Sequence, residues 1–271
     1  MNTEQINGHP VPQLDEKNRL FPSYDVQMLV GLGSCGAVYY ALKENQAVSI
    51  KVVVGPKNVR TECEFRSEAD SMSAMDHPNI VKVFEHGERE GHRFIIMEYI
   101  ARGTLHEVMQ EFKFDEKSIA SMAVQICDGL AHAHEKGYIH RDIKPDNIMI
   151  AEDWSPKIMD FGLAVNLADP QYGYTAVGSK GYAAPEVTKD PKNIDFRVDV
   201  YAMGALLFTM LTGDIPSTTN PNYDKLKGYD VRFKMLVKNA MQLDVEKRTE
   251  SIEGISSKLL SMMKSWELHS L

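Results

Sequence analysis

Within six residues the chain sets two aspartates, a lysine and an asparagine: Asp142-Ile143-Lys144-Pro145-Asp146-Asn147, directly after His140-Arg141. Eighteen residues after Asp142 comes Asp160-Phe161-Gly162, behind Lys157-Ile158-Met159. A loop between apolar segments does not require that much polarity, so a reaction centre is favoured over a solvated turn. Upstream, Val30-Gly31-Leu32-Gly33-Ser34-Cys35-Gly36-Ala37-Val38 is a G-x-G-x-x-G pattern. Glycines let backbone N–H groups approach phosphate oxygens, although a glycine-rich hairpin would read the same way. Twenty residues after Gly31, Lys51 closes the apolar run Val48-Ser49-Ile50. An ammonium inside an apolar strand needs anionic partners. Phosphate oxygens would supply one and a carboxylate on the following helix, Glu68 best placed, another; a lysine at the strand's wet edge is the alternative. The chemistry these residues suggest is chemistry on a bound phosphate.

The elements that position them divide the chain in two. From Tyr24 to Tyr99 the signals are mostly strands: Val38–Leu42 and Ala47–Val54 around a Lys43-Glu44-Asn45-Gln46 turn, then Ile80–Phe84 and Arg93–Tyr99. One helix interrupts them, from about Glu62 to Met75. A strand rather than a helix follows the glycines, which favours a strand–turn–strand flap over a dinucleotide-binding turn. Beyond Gly103 the pattern turns helical. Ile119, Met122, Ala123, Ile126 and Leu130 recur at helical spacing behind an Asp115 N-cap, with Gly137 as the stop. Further helices are expected near Asp199–Leu211, Asp230–Gln242 and Ser251–Trp266. Residues 1 to about 20 are polar and interrupted by proline, and read as a loose arm. Two unlike lobes with a cleft between them are expected.

Composition narrows the rest. The 271 residues carry 30 Lys+Arg against 38 Asp+Glu, a net charge of −8, with no basic run to serve as a nucleic-acid face. Cys35, Cys63 and Cys127 are too scattered for a disulfide framework or a zinc site, which points to free thiols and a cytoplasmic chain. The N-terminus lacks a secretory apolar core, and the apolar run Val200–Leu211 is too short to span a bilayer, so no membrane segment is expected. His132 and His134 lie two apart on a helix and point to different faces, so they read as ordinary helix residues rather than metal ligands.

Taken in order, the glycine pattern, Val48-Ser49-Ile50-Lys51, the His140–Asn147 run, Asp160-Phe161-Gly162 and Ala184-Pro185-Glu186 resemble the protein-kinase signature set, over about Tyr24 to Leu260. Lys144, two residues after Asp142, resembles the serine/threonine branch. His77-Pro78-Asn79-Ile80-Val81 and the short loops are similar to bacterial eukaryotic-like kinases. The resemblance implies an α+β, two-lobed fold, a small antiparallel β lobe with one key helix and a larger α-rich lobe. It divides the chain into an arm over 1–20 and a kinase domain over 21–271, with the N-lobe about 21–97, the hinge about 98–103 and the C-lobe about 104–271.

It further implies ATP and Mg²⁺. Val30 through Val38, Ser49 and Lys51 would meet the nucleotide from above. Met97 would back the adenine pocket, Glu98 and Ile100 would hydrogen-bond the base through backbone, and Met149 would pack beneath it. Lys51 would pair with Glu68, and Asn147 and Asp160 would hold the metal. Asp142 would act as catalytic base and Lys144 would neutralise transferring charge. Met72, Val83, His140 and Phe161 would pack as a spine, Asp199 would anchor the catalytic loop, and Glu186 would pair with Arg248.

Protein Ser/Thr hydroxyls would be the acceptors, the chain's own included. Tyr172, Tyr174, Thr175 and Ser179 are hydroxyl candidates in the segment Asp160–Glu186, with autophosphorylation expected at Thr175 and Arg141 as the phosphate's partner. Ser49 and Ser179 stand where the family usually has alanine and threonine. A nucleotide-binding pseudokinase scaffold and a small-molecule phosphotransferase are the rival readings.

Overall fold

Strand alternation and two-residue turns build the first half of the protein. The computed structural model describes residues 5–6, 9–10, 20–33, 36–54, 65, 68–168 and 178–268. Five strands, β1 (Asp25–Gly33), β2 (Gly36–Lys43), β3 (Gln46–Val53), β4 (Val83–Arg89) and β5 (His92–Glu98), form one antiparallel sheet. Their order is β1-β2-β3-β5-β4. The β2–β3 turn works because Glu44 and Asn45 take φ of 50° and 68°, the left-handed pair a twisted two-residue hairpin needs. The five inner residues of β5 are all buried, whereas β4 alternates between half-buried and exposed as an edge strand does. Phe21, Tyr39, Ile50, Val52, Phe94 and Ile96 form a core on one face. Phe65, Ala69 and Ile95 form a second. Of the helix expected from Glu62 to Met75, Phe65 and residues 68–73 are described as helical, and Ala74 and Met75 lie beyond its end.

The strand expected over Ile80–Phe84 is only partly there. Residues 79–81 leave the sheet to dock on the helical lobe: Ile158 N–H donates to Asn79 O at 2.8 Å and Val81 N–H to Ile158 O at 2.9 Å. Those two bonds occupy the backbone groups that a longer strand would use, so β4 starts at Val83. Within the stretch read as a loose arm, Gln5–Ile6 pairs with His9–Pro10.

The second half is helical: α1 (Leu105–Glu111), α2 (Glu116–Glu135), α3 (Pro185–Lys189), α4 (Arg197–Thr212), α5 (Val231–Ala240) and α6 (Ile252–Leu268). A Thr104–Glu107 capping box opens α1, and Asp115 caps α2. Every residue of α4 from Val198 to Leu211 is buried, which identifies this all-round apolar helix as the lobe's axis. It stops at Gly213, whose φ of 75° suits a residue without a side chain. The long helix α2 packs on both α4 and α6. Four short strands, β6 (Tyr138–Ile139), β7 (Ile148–Ile150), β8 (Pro156–Ile158) and β9 (Val165–Asn166), pair as β6–β9 and β7–β8 and frame the loops that face the sheet. Among the described residues no helix is long and apolar enough to cross a membrane. Cys127 is a buried free thiol, pushed by burial well above its ordinary pKa, while Cys35 and Cys63 lie outside the described residues.

Candidate active site

A cleft of about 470 Å³ opens between the sheet and the helical lobe. Val30, Gly31, Gly36 and Val38 line it from β1 and β2, Ser49 and Lys51 from β3, and Met97, Glu98 and Ile100 from the end of β5 and beyond. Met149 and Asp160 line it from the helical lobe. Ala37 does not. Successive side chains on a strand point to opposite faces, and Ala37 is fully buried in the sheet core beside Ile50 and Val52. Leu32 is about half exposed and outside the lining, and Ser34 and Cys35 lie outside the described residues. Glu98 donates its backbone N–H to Lys82 O at 2.9 Å, so that donor is not available to a base edge. Gly36 has a second reason to be glycine. A Cβ there would sit 2.3 Å from the Val52 carbonyl oxygen of the neighbouring strand.

Lys51 and Glu68 meet as an ion pair, Nζ on Oε1, with both side chains almost fully buried. Burial pushes the Glu68 carboxyl above its ordinary pKa; Lys51 pulls it back and nearby Asp160 pushes it up again. The helix bearing Glu68 is thus drawn against β3.

The loop below is more densely tied. Asp199, fully buried at the start of α4, accepts from the backbone N–H of His140 and of Arg141, both at 2.9 Å. This holds Arg141 at a φ of 67°, unusual for a residue other than glycine, and sets Asp142 among Lys144, Asn147 and Ser179. One Asp142 oxygen accepts from Asn147 Nδ2 at 2.9 Å and lies 3.0 Å from Lys144 Nζ. The other accepts from Ser179 N–H at 3.1 Å and Ser179 Oγ at 2.8 Å. Lys144 Nζ also donates to Ser179 Oγ at 2.7 Å. Burial alone would raise the Asp142 pKa, but the Lys144 and Ser179 hydrogen bonds outweigh it and hold the carboxyl below its ordinary value.

Met159 N–H donates to Asn147 O at 2.9 Å, which seats Asp160 beside Asn147. Asp160 has a φ of 61°, and its Oδ1 accepts from Gly162 N–H at 3.3 Å. Phe161 is fully buried, edge-on to His140 at 4.6 Å, in the same core as Met72 with Val83 packed against it. Arg248 grips Glu186 with two bonds, of 2.5 and 3.0 Å.

Sequence reasoning missed several neighbours. Asp146, Thr104 and Glu107 also line the cleft. Asp146 sits inside the motif already singled out, so its position was the available signal. His134, read as an ordinary helix residue, donates from Nε2 to Asp199 at 2.8 Å.

The family model described as protein kinase domain matches residues 24–267. The chain belongs to the protein kinase family. Among curated relatives, the serine/threonine-protein kinase cds1 of Schizosaccharomyces pombe is 34% identical over 71% of this chain and 45% of its own length. The serine/threonine-protein kinases PknJ and PknB of Mycobacterium tuberculosis are 32% and 33% identical, over 73% and 74% of this chain and 35% and 34% of theirs. The chain therefore spans less than half the length of these relatives. Against the family pattern, Ser49 is buried on β3 and lines the cleft, while Ser179 keeps the hydroxyl that bonds the aspartate.

Proposed function

We propose that this chain is an ATP-dependent serine/threonine protein kinase, with the N-lobe over about 21–97, the hinge over about 98–103 and the C-lobe over about 104–271. The observation that carries the reading is a pair of charge networks, Lys51 on Glu68 and Asp142 on Lys144, Asn147 and Ser179, with Lys51 and Asp160 lining one cleft. Phosphoryl transfer demands positioned charge more than covalent chemistry, and this cleft supplies positioned charge.

Lys51 meets the α- and β-phosphates of ATP, with Glu68 fixing its direction. Asp160 and Asn147 offer a carboxylate and a carboxamide oxygen side by side, the hard donors Mg²⁺ takes. When bound there, the ion offsets phosphate charge. Asp142 orients the acceptor Ser or Thr hydroxyl toward the γ-phosphorus and takes its proton as the new O–P bond forms and the bond from that phosphorus to the bridging oxygen breaks, releasing ADP. Its lowered pKa suits a group that holds the hydroxyl first and accepts the proton late. Lys144, bridging Asp142 and Ser179, faces the charge on the transferring group. Ile100 presents its backbone to the adenine, Met97 limits the depth of the pocket, and Val38 and Met149 cover the ring.

Acceptors are Ser/Thr hydroxyls of proteins, including Thr175 of the chain itself, which lies outside the described residues. The test is transfer of labelled phosphate from Mg-ATP into the chain and into a generic Ser/Thr protein, with Asp160→Asn alongside. Transfer that disappears in the variant supports the reading. Tight Mg-ATP binding without transfer moves it to a scaffold. A Thr175→Ala chain with an unchanged phosphopeptide map removes the autophosphorylation site.

A further inference from the structure

Ser49 is a polar residue in a part of the cleft wall that is otherwise apolar, with Val38, Met97, Met149 and Met159 lining the same space. In the antiparallel pairing it lies directly opposite Met97 on β5 and Tyr40 on β2, so the three side chains share one face of the sheet. Lys51, two residues further along β3, shares that face and is paired with Glu68.

At 8% exposure Ser49 is more than nine-tenths buried, and among the described residues its hydroxyl has no hydrogen-bond partner. Neither strand neighbour supplies one. Met97 ends in a thioether, and the Tyr40 ring is turned edge-on to Tyr99 at 4.7 Å. Nor is the hydroxyl sealed in the core. Among the described residues, the enclosed side-chain polar atoms without a partner belong to His92, His132 and Tyr201. The Ser49 oxygen therefore keeps an opening, and the space that Ser49 lines is the cleft. An unpaired hydroxyl in an apolar wall is a cost that alanine would avoid. A ligand with a polar group at that place recovers it.

We infer that Ser49 reads the base of the nucleotide, its hydroxyl accepting a hydrogen bond from the six-amino group of adenine. The inference rests on the kinase reading, which places ATP in this cleft with an edge of its base on the backbone beyond Met97. Adenine has one exocyclic donor. That amino group belongs to both edges that set a donor beside an acceptor, N6 with N1 and N6 with N7. Whichever edge meets the backbone, the amino group comes with it to the end of β5, and Ser49 is the residue across the strand pair from that end. The amino group has two hydrogens, so one serves the backbone and the other the Ser49 oxygen.

The test reads binding rather than turnover. Mg-ADP and the Mg-diphosphate of purine riboside, which has hydrogen in place of the six-amino group, are titrated calorimetrically into the full chain. Wild type, Ser49→Ala and Ser49→Cys are compared, each checked for an intact thermal transition. Ser49→Ala should weaken ADP about threefold to tenfold and leave the purine riboside ligand within about twofold of wild type. Ser49→Cys fills the space with a poor hydrogen-bonding group, so its ratio of the two affinities should match that of the alanine variant. The inference is overturned if Ser49→Ala leaves ADP binding unchanged, if it weakens both ligands equally, or if Ser49→Cys keeps the wild-type ratio. When neither nucleotide binds the wild-type chain, the kinase reading falls and takes the inference with it. Nucleotide binding that ignores Ser49 overturns the inference alone.

Discussion

Asp199, at the start of α4, accepts a hydrogen bond from His134, in the last turn of α2, at 2.8 Å. The same carboxylate takes the backbone N–H groups of His140 and Arg141. One buried side chain therefore fixes the angle between two helices and the shape of the loop that carries Asp142. Asparagine offers one acceptor oxygen where aspartate offers two, so Asp199→Asn strands at least one buried donor. We expect a loss of about 2–4 kcal/mol in urea denaturation at neutral pH.

The same residue gives an acid limb. Burial alone would raise the Asp199 pKa, but the His134 hydrogen bond and charge and the backbone donors outweigh it, so the folded value lies below the usual 3.8. Its stabilisation is full above about pH 4 and is lost as the pH falls through the folded pKa. The urea midpoint of the wild-type chain should drop below that pH, and that of Asp199→Asn should drop less.

Glu186 and Arg248 form the second buried brace. The Arg248 side chain is fully buried, with further bonds to the Arg197 carbonyl at 2.8 Å and the Gln242 carbonyl at 3.1 Å. Arg248→Met leaves Glu186 without its cation and should cost about 3–5 kcal/mol. Glu186→Gln with Arg248→Met should cost less than the sum of the single changes. A thermal-melt cycle measures that coupling.

Much of this site could be read because its chemistry is local. Asp142, Lys144 and Asn147 fall within six residues, and no packing detail is needed to see them as a set. Glu186 and Arg248 lie 62 residues apart, and only the family resemblance paired them in advance. Where period-two alternation was not applied, the reading slipped: Val38 and Ala37 cannot both face the cleft from one strand. The Ile80–Phe84 strand forms only from Val83 for a different reason, since two tertiary bonds with Ile158 overrode a local preference that was real. Phe112 and Trp154 carry no spacing signal, and only the return of the β7–β8 turn makes them neighbours.

Gly36→Ala separates two roles of the glycine loop. The added methyl would meet the Val52 carbonyl oxygen, so the β2–β3 pairing must shift even without nucleotide. A loss of about 1–3 kcal/mol in the apo protein is expected. Gly31, where a Cβ meets only Val38 at an ordinary 3.9 Å, should tolerate alanine far better in an apo melt.

Glu68→Gln distinguishes activity from stability. Burial raises the Glu68 pKa above 4.5, so the folded chain binds this proton more tightly than the unfolded chain. Its contribution to stability therefore declines as pH rises from 4.5 through the folded value. Relative to wild type, Glu68→Gln should gain stability across that rise, read as a difference in melting temperature at pH 4.5 and 7. On the kinase reading its kcat at pH 7 should nevertheless fall about tenfold to a hundredfold, because Lys51 loses the partner that directs it.

Ser179 supplies the most selective test of the reading around Asp142. Its hydroxyl donates to one aspartate oxygen and accepts from Lys144, so it aligns the two groups assigned to the proton and the phosphoryl charge. Ser179→Ala removes both bonds from a partly open loop, and stability should change by less than about 1 kcal/mol. Transfer should fall roughly tenfold to a hundredfold in kcat, and Ser179→Thr should restore it. The pH profile separates this from a general structural loss. Asp142 is held below its ordinary pKa partly by Ser179, and on the kinase reading the rate should fall where that carboxylate is protonated. Removing the hydroxyl raises the Asp142 pKa, so the acid limb of kcat/KM should move to higher pH in Ser179→Ala and return in Ser179→Thr. An acid limb that stays in place while kcat falls would break the link between Ser179 and the charge state of Asp142.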